Sequence, residues 1–315
     1  MKVATAGSCF AQNIGRYIRR SELDLIETEP TPKLMPANVA KKYGYGLYSA
    51  RYGNIYTPRQ LLQLLQDAEV GHLRKAAFWE TDQRWFDGLR PNTEPEGFES
   101  IAELKKMRLD HLLRVRNIFR DADVFVFTLG LTEAWRAIQC GTIFPTAPGV
   151  VAGTFDEDLH EFVNFGIADC LEDMVAAIST MRSFAPNLKI LLTVSPVPLT
   201  ATASDNHVLS ATSYSKSVLR VVAEELVNSD PNIDYFPSYE LISGIPFASQ
   251  FYEKNLRNVE AQGVDFAMQT FFSAHKDLSL KEASETGLNY RPQQSNEAET
   301  SEVCEEALLE AFAIK

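Results

Sequence analysis

Two runs, Val124-Phe125-Val126-Phe127-Thr128-Leu129 and Ile190-Leu191-Leu192-Thr193-Val194, are almost unbroken in aromatic, aliphatic and β-branched residues. A strand with one face in water alternates polar and apolar side chains. These runs do not alternate, so each needs cover on both faces, as a central strand of a parallel sheet does. Further strand-like segments at 2–7, 23–27 and 233–236 alternate with helical spacing beginning at Thr57-Pro58 and over 99–119, 166–182, 213–228 and 260–272. This alternation predicts an α/β fold, a three-layer sandwich with helices on both faces of a mainly parallel sheet.

The remaining segments are less regular. Residues 28–58 are rich in Pro, Gly, Tyr and Asn and predict a long ordered loop, a common place for function. Trp79, Trp85 and Phe86 fall in an irregular stretch, and 138–152 reads as a hairpin turning near Cys140-Gly141. Residues 276–315 are polar and acid-rich apart from an amphipathic piece at 307–312, which predicts one domain over 1–275 and a mobile tail.

Charge narrows the partners. With 42 acidic against 30 basic residues, the net charge of −12 argues against nucleic acid or an anionic membrane surface. Apolar runs are too short to span a bilayer and no signal-peptide region precedes Gly7, so insertion is not expected and a cytoplasmic protein is. Cys9, Cys140, Cys170 and Cys304 show no CxxC spacing, so neither a metal site nor a disulfide framework is indicated, and no cofactor motif is present. Oligomeric state leaves no signal.

The chemistry-bearing residues cluster at strand ends. In Lys2-Val3-Ala4-Thr5-Ala6-Gly7-Ser8-Cys9-Phe10-Ala11, a strand runs into a helix through Gly7-Ser8. That position lifts a hydroxyl above the carboxyl edge of the sheet, next to helix N–H groups that favour negative charge. Ser8 is therefore either a nucleophile or an N-cap. Two more loops reach the same edge, Gly130-Leu131-Thr132-Glu133 and the stretch from Ser195 to Tyr214. Of the five histidines, His207 alone lies in a loop at that edge, as the base for Ser8 or as a solvated side chain. Cys9 reads as a buried small residue. Trp135 reads as core or as a platform for a sugar ring, and Lys216 as a partner for an acid in the site.

Gly7-Ser8-Cys9-Phe10-Ala11 resembles the motif that names the GSCFA family, bacterial proteins related to SGNH/GDSL-type esterases. Tyr52-Gly53-Asn54-Ile55-Tyr56-Thr57, Thr128-Leu129-Gly130-Leu131-Thr132-Glu133-Ala134-Trp135, Ser195-Pro196-Val197-Pro198, Tyr214-Ser215-Lys216-Ser217 and Tyr235-Phe236-Pro237-Ser238-Tyr239-Glu240 resemble further blocks in the same order. The resemblance spans roughly residues 1–272. It implies a flavodoxin-like fold with Ser8 as nucleophile and an ester-bearing small molecule or carbohydrate as substrate. By analogy Gly53, Asn54 and Gly130 serve the oxyanion. Thr132 stands where the family of esterases has asparagine, and Glu133 can hold a substrate hydroxyl. The usual carboxyl-terminal Asp-x-x-His corresponds here to Asn255 and Asn258, amides that cannot serve as general base near neutral pH. The expectation is thus an acyl esterase or acyltransferase using His207. The alternative is a binding module with a degenerate site.

Overall fold

The computed structural model describes residues 1–247 and 250–274. The expected tail from 276, with its amphipathic piece and the domain boundary at 275, lies outside the described residues. Five strands form the central sheet: β1 (Lys2–Gly7), β2 (Asp24–Leu25), β5 (Val124–Leu129), β9 (Lys189–Val194) and β10 (Ile233–Tyr235). Their order is β2-β1-β5-β9-β10, and every pairing is parallel. Counting only sheet strands this is 2-1-3-4-5, the flavodoxin-like doubly wound order, whose switch point lies between β1 and β5.

The two apolar strands obtain their cover as expected. On one face α1 (Ala11–Arg19), α7 (Ser238–Ser243) and α8 (Ala261–Ala274) enclose Val3, Ile14, Val126 and Met268. On the other, α3 (Pro58–Val70), α4 (Ile101–Asp121), α5 (Ile167–Phe184) and α6 (Val208–Ser229) bury Phe125, Phe127, Leu65, Val115, Met174 and Leu219. The α3 start is closed by a capping box between Thr57 and Gln60, with Pro58 at the first turn.

Four local expectations are corrected. The stretch around Trp79 is a hairpin, β3 (Phe78–Thr81) against β4 (Arg84–Asp87). Glu133 does not lie in a loop but opens β6 (Glu133–Ala137), which pairs antiparallel with β7 (Ile143–Phe144) and β8 (His160–Asn164). The 28–58 loop contains one short helix, α2 (Ala37–Lys42), and α6 starts at Val208 rather than 213. Among the described residues no helix is long and apolar enough to cross a membrane.

Candidate active site

Ser8 follows directly on β1 and Gly130 directly on β5, so both stand at the switch point, where connections leave in opposite directions and folds of this order commonly bind ligands. Gly7 carries φ +137, and a Cβ there would lie 2.4 Å from the Thr128 carbonyl oxygen. Only glycine lets β1 run so close to β5 into this turn. A Cβ on Gly130 would meet the Tyr56 carbonyl oxygen at 3.0 Å and Ser8 Cβ at 3.1 Å. The loop bearing Gly53 and Asn54 is drawn in by Ile55 N–H, which donates to Gly7 O at 2.9 Å. Three separate blocks of sequence thereby meet around Ser8.

The N-cap reading of Ser8 does not hold. The α1 cap is Phe10, without a side-chain cap bond, while Ser8 Oγ is buried and has no hydrogen-bond partner. Leaving a buried hydroxyl unpaired costs roughly 1–3 kcal/mol. Thr5 Oγ1 on β1 and Thr128 Oγ1 on β5 are unpaired too.

Donors at the edge divide into two kinds. Ser8 N–H is bonded to Thr128 O at 3.0 Å, and Gly130 N–H to Tyr56 O at 3.0 Å. Both are thus taken up by backbone carbonyls. The Asn54 amide is oriented by Tyr48, whose hydroxyl donates to Asn54 Oδ1. That hydroxyl also accepts from Gln12 Nε2 at 3.2 Å and lies 3.2 Å from Ser8 O. Tyr48 thus takes up the Oδ1 end of Asn54, which identifies the other end of the amide as its NH₂ group. Sequence reasoning passed over Tyr48, although it precedes the Tyr-Gly-Asn block by only four residues.

Further along the edge, Thr132 is held by Ser215 Oγ, which accepts from its N–H at 2.8 Å, and its own hydroxyl donates to Asn164 Oδ1 at 2.6 Å. Glu133 Oε1 accepts from the Thr202 hydroxyl at 2.7 Å. Lys216 is 2% exposed, rare for lysine, and its Nζ donates to Gly130 O at 2.5 Å. It therefore braces the glycine that packs on Ser8. Trp135 sits edge-on between Phe155 and Phe162. Cys9 is buried in the apolar cluster with Phe10 and Val126.

His207 is exposed and caps α6, its side chain accepting from Leu209 N–H at 3.2 Å, and it makes no bond to Ser8. Asn255 and Asn258 are exposed as well. Asn255 Oδ1 accepts the N–H groups of Arg257 and Asn258, both at 3.0 Å, and Asn258 Nδ2 donates to Glu253 at 3.1 Å. Both amides serve a local turn that holds Leu256 at φ +54. Between them Arg257 is buried, a feature with no sequence signal. Tyr48 links Ser8 to Asn54, which follows Gly53, and Gly130 packs on Ser8, with Thr132 and Glu133 next along the chain. Among the described residues no hydrogen bond joins His207, Asn255 or Asn258 to the Ser8 hydroxyl.

Behind the Asn54 loop lies a buried ionic strut. Glu29 accepts from Arg51 N–H and from His111 Nδ1, each at 2.7 Å. Arg90 pairs with Asp87 at 2.8 Å and donates to Arg51 O at 3.0 Å. Arg108 spans Asp87 at 3.4 Å and Asp67 at 3.7 Å, and Arg74 closes on Asp67 at 2.9 Å. Arg51 itself reaches Glu94 at 2.6 Å. Burial opposes charge on Glu29, but His111, Arg90 and the Arg51 N–H outweigh it and hold the carboxyl well below its usual range. Burial and the neighbouring Arg90 push His111 down to about 4, so it is neutral at pH 7 and donates to an ionised Glu29. Since Arg51 lies only three residues from Asn54, the strut fixes the loop from behind.

A sequence profile of the GSCFA family matches residues 2–271. The chain belongs to the GSCFA family. None of the curated proteins matches it. Among solved structures, this GSCFA protein is similar to a carbohydrate esterase family 3 protein from Talaromyces cellulolyticus, at 10% identity and a TM-score of 0.38. That alignment covers 89% of this chain and 100% of that one. It is also similar to an acetyl esterase mutant solved with acetate ion, at 9% identity, TM-score 0.34, covering 88% and 99% of the two chains.

Proposed function

We propose that this GSCFA protein is a serine-dependent acyl esterase or acyltransferase for a small O-acylated substrate such as an acylated carbohydrate. The observation that carries this reading is the Ser8 hydroxyl, buried, unpaired and unused by its helix at the switch point of the sheet. A group retained at such a cost without a structural role is a candidate for chemistry. Ser8 Oγ attacks the ester carbonyl carbon and its proton passes to the base. The alkoxy group leaves with that proton, and water or an acceptor hydroxyl then takes the acyl group from Ser8. Asn54 Nδ2 and Gly53 N–H are the proposed oxyanion donors, Gly130 the close-packed wall, and Thr132 and Glu133 the groups facing the alcohol portion.

His207 is the proposed base, and it acts only after leaving its cap on α6 and closing over Ser8. Acetate release from an acetylated xylo-oligosaccharide tests the reading. Ser8→Ala should lower turnover by roughly 10⁴-fold or more, and His207→Ala by roughly 10²- to 10⁴-fold. Turnover unchanged in Ser8→Ala contradicts it.

A second reading has a specific observation behind it. Among the described residues no imidazole bonds to Ser8, and the two positions of the usual acid–base pair hold amides engaged in a turn. On that reading the protein binds the ester without turning it over, and the same oligosaccharide raises its melting temperature while no acetate appears.

A further inference from the structure

Between the 28–58 loop and α3 lies a small cavity of about 30 Å³. Gln60, Gln63 and Asp67 line it from one face of α3, Tyr52 and Asn54 from the loop, and Arg108 from α4. It therefore joins the candidate active site, through Asn54, to the ionic strut, through Asp67 and Arg108. Asp67 is 1% exposed, and its carboxylate is served unevenly. Arg74 at 2.9 Å and Arg108 at 3.7 Å both approach Oδ2, while Oδ1 is buried with no hydrogen-bond partner. Burial accordingly raises its pKa in spite of the two guanidinium groups.

The neighbouring polar groups narrow what can serve that oxygen. Gln63 spends both ends of its amide, donating to Gly141 O at 2.8 Å and accepting from Ile143 N–H at 3.0 Å, and the Tyr52 hydroxyl donates to Thr5 O. Gln60 Oε1 accepts from the N–H groups of Tyr56 and Thr57, both at 3.0 Å, so the group Gln60 has left to offer is its NH₂. The wall thus combines an acceptor on Asp67 with a donor on Gln60, and a molecule that both donates and accepts matches them. Size decides which one. A water needs roughly 10–15 Å³ of such room, whereas a cavity that takes a benzene ring is nearer ~150 Å³. We propose that this cavity is a built hydration site, in which an ordered water donates to Asp67 Oδ1, accepts from Gln60 and ties the strut to the loop that carries Asn54. With that water in place the Asp67 carboxylate is paired at both oxygens. Such a site stands whether or not Ser8 carries out acyl transfer.

A crystal structure of the full chain, at a resolution that orders internal solvent, is the test. Density for a water within roughly 2.5–3.2 Å of Asp67 Oδ1, with Gln60 or Asn54 as a further partner, is the expected result. A cavity without density, or a protein donor turned onto Asp67 Oδ1, overturns the proposal. Magnetic relaxation dispersion of the water oxygen nucleus counts long-lived internal waters in solution. Asp67→Leu, similar in shape but without an acceptor, should lower that count by about one. Asp67→Asn, which keeps a hydrogen-bonding end, should leave it at the wild-type value. An unchanged count in a folded Asp67→Leu variant also overturns the proposal. Should that variant fail to fold, the crystal structure of the unaltered protein still decides.

Discussion

Ser8 and Arg90 are buried to nearly the same degree, 2% and 3% exposed, yet their polar atoms are treated in opposite ways. Arg90 has a carboxylate at 2.8 Å and a carbonyl at 3.0 Å, within a strut whose members neutralise one another. Ser8 Oγ has nothing, although its own backbone N–H donates to Thr128 O and its carbonyl accepts from Ala11 N–H. The strut satisfies its groups and contributes rigidity. The edge leaves a nucleophile-type group unsatisfied and is held in place by its neighbours. The comparison predicts that strut substitutions act on stability, and that the Ser8 side chain acts on chemistry.

The largest effect is expected at Arg90. Arg90→Met strands Asp87 and Glu29 with fewer counter-charges in the interior, which should destabilise by roughly 3–5 kcal/mol in urea unfolding. A change under about 1 kcal/mol would erase the contrast. Next comes the backbone of the edge. Gly7→Ala drives a Cβ to 2.4 Å from a carbonyl at φ +137, so a loss on the order of 2–3 kcal/mol is expected from the same measurement.

Acidification sharpens the comparison further. His111 drops from its usual 6.5 to about 4 in the folded chain, so between those values the unfolded chain binds the extra proton and the folded chain does not. Stability therefore falls as pH falls, by about 2 kcal/mol at pH 5. Glu29 and Asp87, both lowered, add loss at more acid pH, while Asp67, raised by burial, works the other way. His111→Gln should flatten the slope between pH 6.5 and 5 in a series of melting curves. The smallest stability effect belongs to Ser8→Ala, which removes an unpaired hydroxyl and should leave unfolding within about 1 kcal/mol of wild type.

What the sequence disclosed follows the range of the interaction. The central strands, their helices and the Ser8 turn were legible because apolar periodicity and turn chemistry are local. The hairpin at Trp79 was not: its two-residue turn, Asp82-Gln83, holds both residues at positive φ without the Asn-Gly or Asp-Gly signal that announces such a turn. His207 read as a loop histidine because the polar first turns of α6 carry little apolar spacing, and its role as cap emerges only with the helix start at Val208. The strut was invisible because its pairs join residues as far apart as Glu29 and His111. His111, in a helix among Arg and Leu and so away from the loop edge that drew attention to His207, is fully buried. Candidate oxyanion donors were legible through their motif, but Tyr48, which orients one of them, was not.

The most direct measurement is intact-mass analysis after fluorophosphonate treatment, with peptide mapping, on the wild type and the Ser8→Ala and His207→Ala variants. A single adduct on Ser8, absent in Ser8→Ala, is the predicted result, and its loss in His207→Ala would name the base. A wild-type protein that stays folded and takes no adduct on Ser8 would contradict the account and leave the edge as a binding surface.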